Sequence, residues 1–238
     1  MFDYVYREYL PGIIGSIRDF QPAYWACTEI QALLSDVTDL VNIDLPRRFK
    51  TEDNIKRLLG YSFPVVMVCV VRPSVDHLFG AFMVGALPLC FHPLRIIIES
   101  ISYSYYIDSV NYEGHRDGLE RLRHLDEELR KGSISFSRFV KEKLVDEAKM
   151  SVKLAEDLKK LWYMVSNDFL HIRGYIDKLD RWNKDDRDTS LPSWMVGAFT
   201  EYSEGDEETL EELANCIKKL RPLIRNIYDS WLILVTKK

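Results

Sequence analysis

The chain has 238 residues, 32 Lys plus Arg against 37 Asp plus Glu, and a net charge of −5. Apolar residues at 47% and charged residues at 29% are ordinary globular usage and exclude wholesale disorder, while 11 Gly and 9 Pro exclude collagen-like and linker-dominated chains. The mild acidity argues against a large basic nucleic-acid surface and leaves room only for a local one.

Leu33, Leu34, Val37, Leu40 and Val41 recur at helical spacing after Pro22, so residues 23–42 read as a helix. Thr51 to Asn54 then opens a short helix that Gly60 closes, by N-cap and C-cap chemistry. The valine-rich run Phe63–Val71 has the composition of a buried strand, but no partner strand is visible, so helix or extended chain is expected. The most apolar stretch, Phe63–Phe91, is interrupted by Arg72-Pro73 and Asp76-His77. Neither half reaches the ~20 residues that cross hydrocarbon, so no membrane span is expected.

Ser74 is placed to cap a helix running to about Phe91, and Pro93 suits the first turn of the next, Leu94 to about Val110. Leu119, Leu122, Leu125 and Leu129 mark another, ended by Gly132. A long helix is expected from Ser135 to Arg173, with Ala148, Ala155, Leu158, Trp162, Val165, Phe169 and Ile172 as its apolar stripe and Gly174 ending it. Residues 177–205 lose periodicity and read as a charged, turn-rich excursion. Asp206 and two glutamates suit the start of a final helix, in which Pro222 predicts a kink.

The expected fold is therefore all-α, a bundle of about six to eight helices with a long central helix hairpin. Residues 1–238 read as a single domain, N-terminal helices over 1–60 packing on a bundle over 75–238. The cysteines Cys27, Cys69, Cys90 and Cys216 form no C-x-x-C and read as buried thiols. The opening MFDYVYREYL has no basic segment followed by an apolar one, so a reducing, cytoplasmic setting is expected.

Within LRIIIESISYSYYID, the polar residues Arg95, Glu99, Ser102 and Tyr106 fall at offsets of 0, 4, 7 and 11. Those offsets occupy a sector of about 40°, one narrow stripe on a helix otherwise rich in isoleucine and tyrosine. Arg95 and Glu99 are spaced for an intrahelical pair. Such a stripe is either a structural pair or solvent face of the bundle, or a cationic and carboxylate pair lining a cleft. Tyr103, Tyr105 and Tyr106 read as core aromatics before stacking platforms for bases.

Further on, YMVSNDFLHIRGY places Asn167 and His171 one turn apart and off the apolar stripe. His171 then either complements the helix C-terminal dipole or faces a second chain, where it acts as acid or base near neutral pH. Asp168 and His171 have the i, i+3 spacing of helical di-iron sites, but a second such pair is missing, and Glu120 with His124 is at i, i+4. No metal site and no cofactor are expected. There is no G-x-S-x-G and no cysteine or serine with a base near it in sequence.

The order of an apolar helix (HLFGAFMVGALPL), a helix with LRxxxES and a tyrosine tail, and a helix ending in YxxxSNxFxH resembles the divergent HEPN-like all-α proteins of prokaryotes, over Leu78–Tyr175. The resemblance implies a helical bundle, a two-fold dimer and a descent from metal-independent ribonucleases. Those nucleases carry Arg, a polar residue, three residues, then His. Aligned on His171, the polar position is Asn167 and the arginine position is Ser166, so the catalytic arginine is replaced. The implied catalytic set is His171, Asn167 and, as a substitute cation, Arg95. The resemblance also implies RNA and a nucleotidyltransferase-type protein as partners. The expected function is an interaction or RNA-associated module with a degenerate ribonuclease site. An active endoribonuclease of a defence or toxin–antitoxin system and a helical metal- or small-ligand-binding protein are the alternatives.

Overall fold

The structure, a computed structural model, describes residue 7 and residues 9–49, 60–110, 118–132, 134–167 and 200–236, the side chains of residues 119, 130–132 and 167 excepted. The described residues hold eight helical runs and no strand, an all-α architecture. They are α1 (Leu10–Asp19), α2 (Gln21–Asp39, continued by Leu40–Asp44 and Leu45–Arg48), α3 (Ser62–Met83), α4 (Phe91–Ser109), α5 (Gly118–Gly132), α6 (Phe136–Phe139 continued by Val140–Glu147), α7 (Val152–Asn167) and α8 (Glu207–Thr236). Short 3₁₀ turns, Leu87–Cys90 and Glu204–Asp206, lead into α4 and α8. The helix expected over Thr51–Gly60, all but Gly60 itself, and residues 177–199 of the excursion expected over 177–205 lie outside the described residues.

The chain forms two compact units. The first takes residues Met1–Leu34, Ser74–Arg95 and Tyr163–Lys219, and its core includes Ile13, Ile30, Leu78, Phe82, Leu94 and Leu213. Here the extended segment ahead of α8 is closely held. Tyr202 donates its hydroxyl to the Phe82 carbonyl at 2.7 Å and stacks on the Phe82 ring, with centroids 5.0 Å apart. Gly85, at φ +67°, leaves the space that the Thr200 carbonyl fills, where a Cβ would collide. The second unit takes Ser35–Pro73, Ile96–Trp162 and Leu220–Lys238, with Phe63, Met67, Ile98, Phe139, Tyr228 and Trp231 in its core.

Cys27, Cys90 and Cys216 are buried as expected, but Cys69 is exposed, carried to the outside by the π turn of α3. Three expectations about helix bounds also need correction. The apolar stretch after residue 62 is not broken at Arg72-Pro73: α3 runs through it. Proline lacks the N–H for an α turn and its ring crowds the carbonyl four residues back. Just ahead of Pro73 the chain widens into a π turn, Met67–Val71, in which the Arg72 N–H reaches the Met67 carbonyl. The same device stands ahead of Pro46, where Leu40–Asp44 is a π turn. Ser74 is consequently a buried residue inside α3 rather than its cap, and α3 ends at Met83, not near Phe91.

The second correction concerns the helix expected over Ser135–Arg173. It is two helices, α6 and α7, separated at Ala148–Ser151, where Lys149 has φ 58°. The Ala148 and Met150 N–H groups close the end of α6 on the Lys143 and Leu144 carbonyls, and the Ser151 hydroxyl accepts from the Leu154 N–H as α7 begins. The offset of 7 between Ala148 and Ala155 matched a helical repeat across a break. Third, α4 starts at Phe91, one turn earlier than expected.

By length and composition α3 could cross a membrane, with 22 residues and a mean hydropathy of 1.5 over its most apolar window. Arg72 lies at its midpoint, where a charge is costly in hydrocarbon, and Phe63, Met67, Val71, Leu78 and Phe82 are buried in protein. We read it as a core helix.

Candidate functional site

Among the elements, α4 carries the polar stripe, and it is as buried as expected: Ile97, Ile98, Ile101, Tyr105 and Ile107 are all in the core. The stripe does not present a common face to one neighbour. Arg95 is half-buried. Glu99, also half-buried, accepts the Trp162 indole N–H at 2.8 Å, and the Trp162 ring stacks on Phe136, with centroids 5.1 Å apart. Ser102 is fully buried and donates to the Ile98 carbonyl of its own helix at 2.7 Å. Tyr106 is buried and donates to Glu147 of α6 at 2.6 Å, and Lys143 donates to the same carboxylate at 2.8 Å. Burial pushes the Glu147 carboxyl up, but the bonds from Lys143 and Tyr106 outweigh it and hold the group below its usual range.

Glu99, Ser102 and Tyr106 thus make bonds that hold α4 to α7, to itself and to α6. Tyr103 and Tyr106 pack edge-on against Phe139, with centroids 4.7 and 5.6 Å apart, as core aromatics do.

A polar centre that sequence reasoning missed lies at the end of α4, one residue before its last. Asp108 is 2% exposed. One carboxylate oxygen accepts from the Ser62 N–H at 2.8 Å, and the other from the Phe63 N–H at 2.9 Å and the Trp231 indole at 2.8 Å. Helix α3 has no side-chain cap of its own, and its preceding residue, Tyr61, offers none. Asp108 therefore satisfies two of the orphan donors at the start of α3 from another helix. The Ser62 hydroxyl in turn donates to the Gly118 carbonyl at 2.7 Å, and Gly118 packs so closely on Tyr61 and Ser62 that a Cβ would collide with their backbone. Burial pushes the Asp108 carboxyl up, only partly offset by the Phe63, Ser62 and Trp231 bonds and the charge of Arg121. The signal was available: Asp108 is the lone acid in the tyrosine-rich second half of a buried helix. Nothing comparable in the sequence marked Glu147 or Lys143.

Asn167 is the last residue of α7; its side chain, His171, Asp168 and Arg173 lie outside the described residues. Ser166 is described. It is fully buried, and its hydroxyl has no hydrogen-bond partner among the described residues. Glu120 and His124 lie on α5, where His124 approaches Glu128 at 3.8 Å. Among the described residues no three His, Cys, Asp or Glu side chains gather as a metal site.

Compared with protein-family models, curated proteins and solved structures, the chain matches none.

Proposed function

We propose that this chain is a HEPN-like helical interaction module, RNA-associated and dimeric, whose ribonuclease site is degenerate. In this reading it works in the cytoplasm beside a nucleotidyltransferase-type partner. The observation that supports it is the state of Ser166. In-line cleavage of RNA by a 2′-hydroxyl needs a proton acceptor and a positive charge near the phosphate. Ser166 stands where the resembled nucleases carry that charge, and it is a neutral side chain shut inside the protein. Glu99 and Tyr106, the other polar groups of the stripe, are engaged by Trp162 and Glu147. Arg95 and His171 are the residues that a surviving activity would use.

The test is RNA cleavage by the pure protein beside His171→Ala and Arg95→Ala. We expect no cleavage above background in any of the three, with RNA retained in a binding assay. Robust cleavage that both variants abolish would overturn the degenerate-site reading and make the chain an active metal-independent endoribonuclease.

A further inference from the structure

Tyr228, on α8, is 0% exposed, its ring packed against Phe63 and Trp231 with centroids 6.4 and 6.1 Å away. Its hydroxyl is buried as well and has no hydrogen-bond partner among the described residues. Buried hydroxyls are nearly always paired, because an unpaired one gives up its hydration and gains nothing in return. Burial pushes this hydroxyl up to about 12, so at neutral pH it keeps its proton and is a donor that needs an acceptor.

Its neighbours explain why no side chain supplies one. The charges that act on the hydroxyl are those of Arg48, Asp44 and Arg225. Asp44, the carboxylate among them, is already engaged. Arg225 donates to it at 2.8 Å and to Asp229 at 3.3 Å, with its guanidinium 5.5 Å from the centre of the Tyr228 ring. Arg48 comes near the hydroxyl, but a guanidinium carries only donors. A phenol O–H and guanidinium N–H groups therefore converge without an acceptor between them. Arg48 and its neighbour Arg47 are exposed, and neither makes an ion pair among the described residues. The negative end of the α2 dipole accounts for two arginines in its last turn, but not for a buried hydroxyl facing one of them. All these groups belong to the second unit. Three arginines against two aspartates leave the spot cationic in a chain of net charge −5.

We propose that Tyr228 and Arg48, with Arg47 beside them, form a binding site for a phosphate monoester at the end of α2. Arg48, long and exposed, swings outward to admit it. One terminal oxygen accepts the Tyr228 O–H, a second takes the Arg48 fork, and the third faces the Arg47 charge. The two oxygens of a carboxylate lie in one plane and are filled by one guanidinium fork, whereas a tetrahedral phosphate has a further oxygen to direct at the phenol. The carrier is a small phosphorylated molecule or the 5′-phosphate end of an RNA, which present the same three oxygens. Phosphate binding here stands or falls with Tyr228 and Arg48, and the ribonuclease-like reading with His171 and Arg95, so either can fail alone.

The test uses the full chain in phosphate-free buffer at fixed ionic strength. The probes are inorganic phosphate, followed by the rise it causes in Tm, and a 5′-phosphorylated RNA oligonucleotide beside its 5′-hydroxyl form. Tyr228→Phe removes one oxygen and keeps the shape. Because that hydroxyl makes no bond in the free protein, the variant should melt no lower than the parent, yet bind phosphate about tenfold more weakly. Arg48→Gln should weaken binding about as much, and Lys153→Ala, at an exposed position of α7, should not. A preference for the 5′-phosphorylated RNA that Tyr228→Phe erases would make RNA ends the carrier, and the same pattern with inorganic phosphate alone a small molecule. The site is overturned if neither probe binds, or if Tyr228→Phe binds both as tightly as the parent. It is also overturned if Tyr228→Phe melts several degrees lower without phosphate, since the hydroxyl would then already have a partner.

Discussion

Two polar places on α4, the pair Glu99 and Tyr106 and, two residues beyond, Asp108, are built in different ways. At Glu99 and Tyr106 a side chain meets a side chain in a part-buried setting. At Asp108 a single buried carboxylate answers two backbone N–H groups and an indole. The first kind of site tunes contacts between helices that apolar packing already holds. The second decides whether a helix has a satisfied beginning, since an orphaned buried donor costs its whole desolvation.

Removing Asp108 is the sharpest way to break this contrast. Asp108→Ala strands the Ser62 and Phe63 amides and the Trp231 indole, and should cost about 3 kcal/mol or more of stability in urea unfolding. The pH dependence has a definite sign. Because burial holds the carboxyl above its usual value, its contribution is fully present below the unfolded value and is lost as pH rises through the folded one. The deficit of the variant should therefore be larger in mild acid than at neutral pH. A variant as stable as the parent at both would show that water caps α3 equally well.

Glu99→Ala should cost less, about 1–2 kcal/mol, because it leaves the Trp162 indole without its acceptor and removes the carboxylate one turn from Arg95. That still exceeds the ~0.5 kcal/mol of an exposed helix pair. A thermal melt unchanged by the substitution would make Glu99 a solvent residue.

The smallest effect belongs to Tyr106→Phe. It removes one of two bonds that hold the Glu147 carboxyl low, so the Glu147 titration should move up toward the ordinary range, read by carboxyl NMR. A depressed carboxylate lends stability above its unfolded value and loses it as pH falls through the folded one. The variant should lose that small contribution earlier on acidification. An unmoved titration would assign the whole depression to Lys143.

Much of the fold was legible because apolar periodicity reports which face of a helix is buried. Leu94 to Ile107 and Leu210 to Trp231 followed it closely. It failed where backbone chemistry decides between neighbouring options. Pro73 suggested a stop, and the widened turn before it could not be read from side-chain pattern. Lys149 has no sequence mark of the left-handed turn it makes, as a glycine would. Of the site, the stripe was legible as a set of positions, but the partners of Glu99 and Tyr106 come from α7 and α6, 63 and 41 residues away, and no local pattern carries such pairings. Ser166 was legible as a departure from the arginine of the resembled family.

The wide turns ahead of Pro46 and Pro73 have a consequence for how this sequence can change. Each holds one residue more than an α turn, so everything beyond it is out of phase by about 100° with what precedes. Deleting any one residue of Met67–Val71 would shorten α3 by a trifling length and leave its composition almost intact. It would also rotate Ser74, Val75, Leu78 and Phe82, all now buried, a quarter-turn toward water and carry Asp76 inward. In these two helices, length is less free to vary than chemistry.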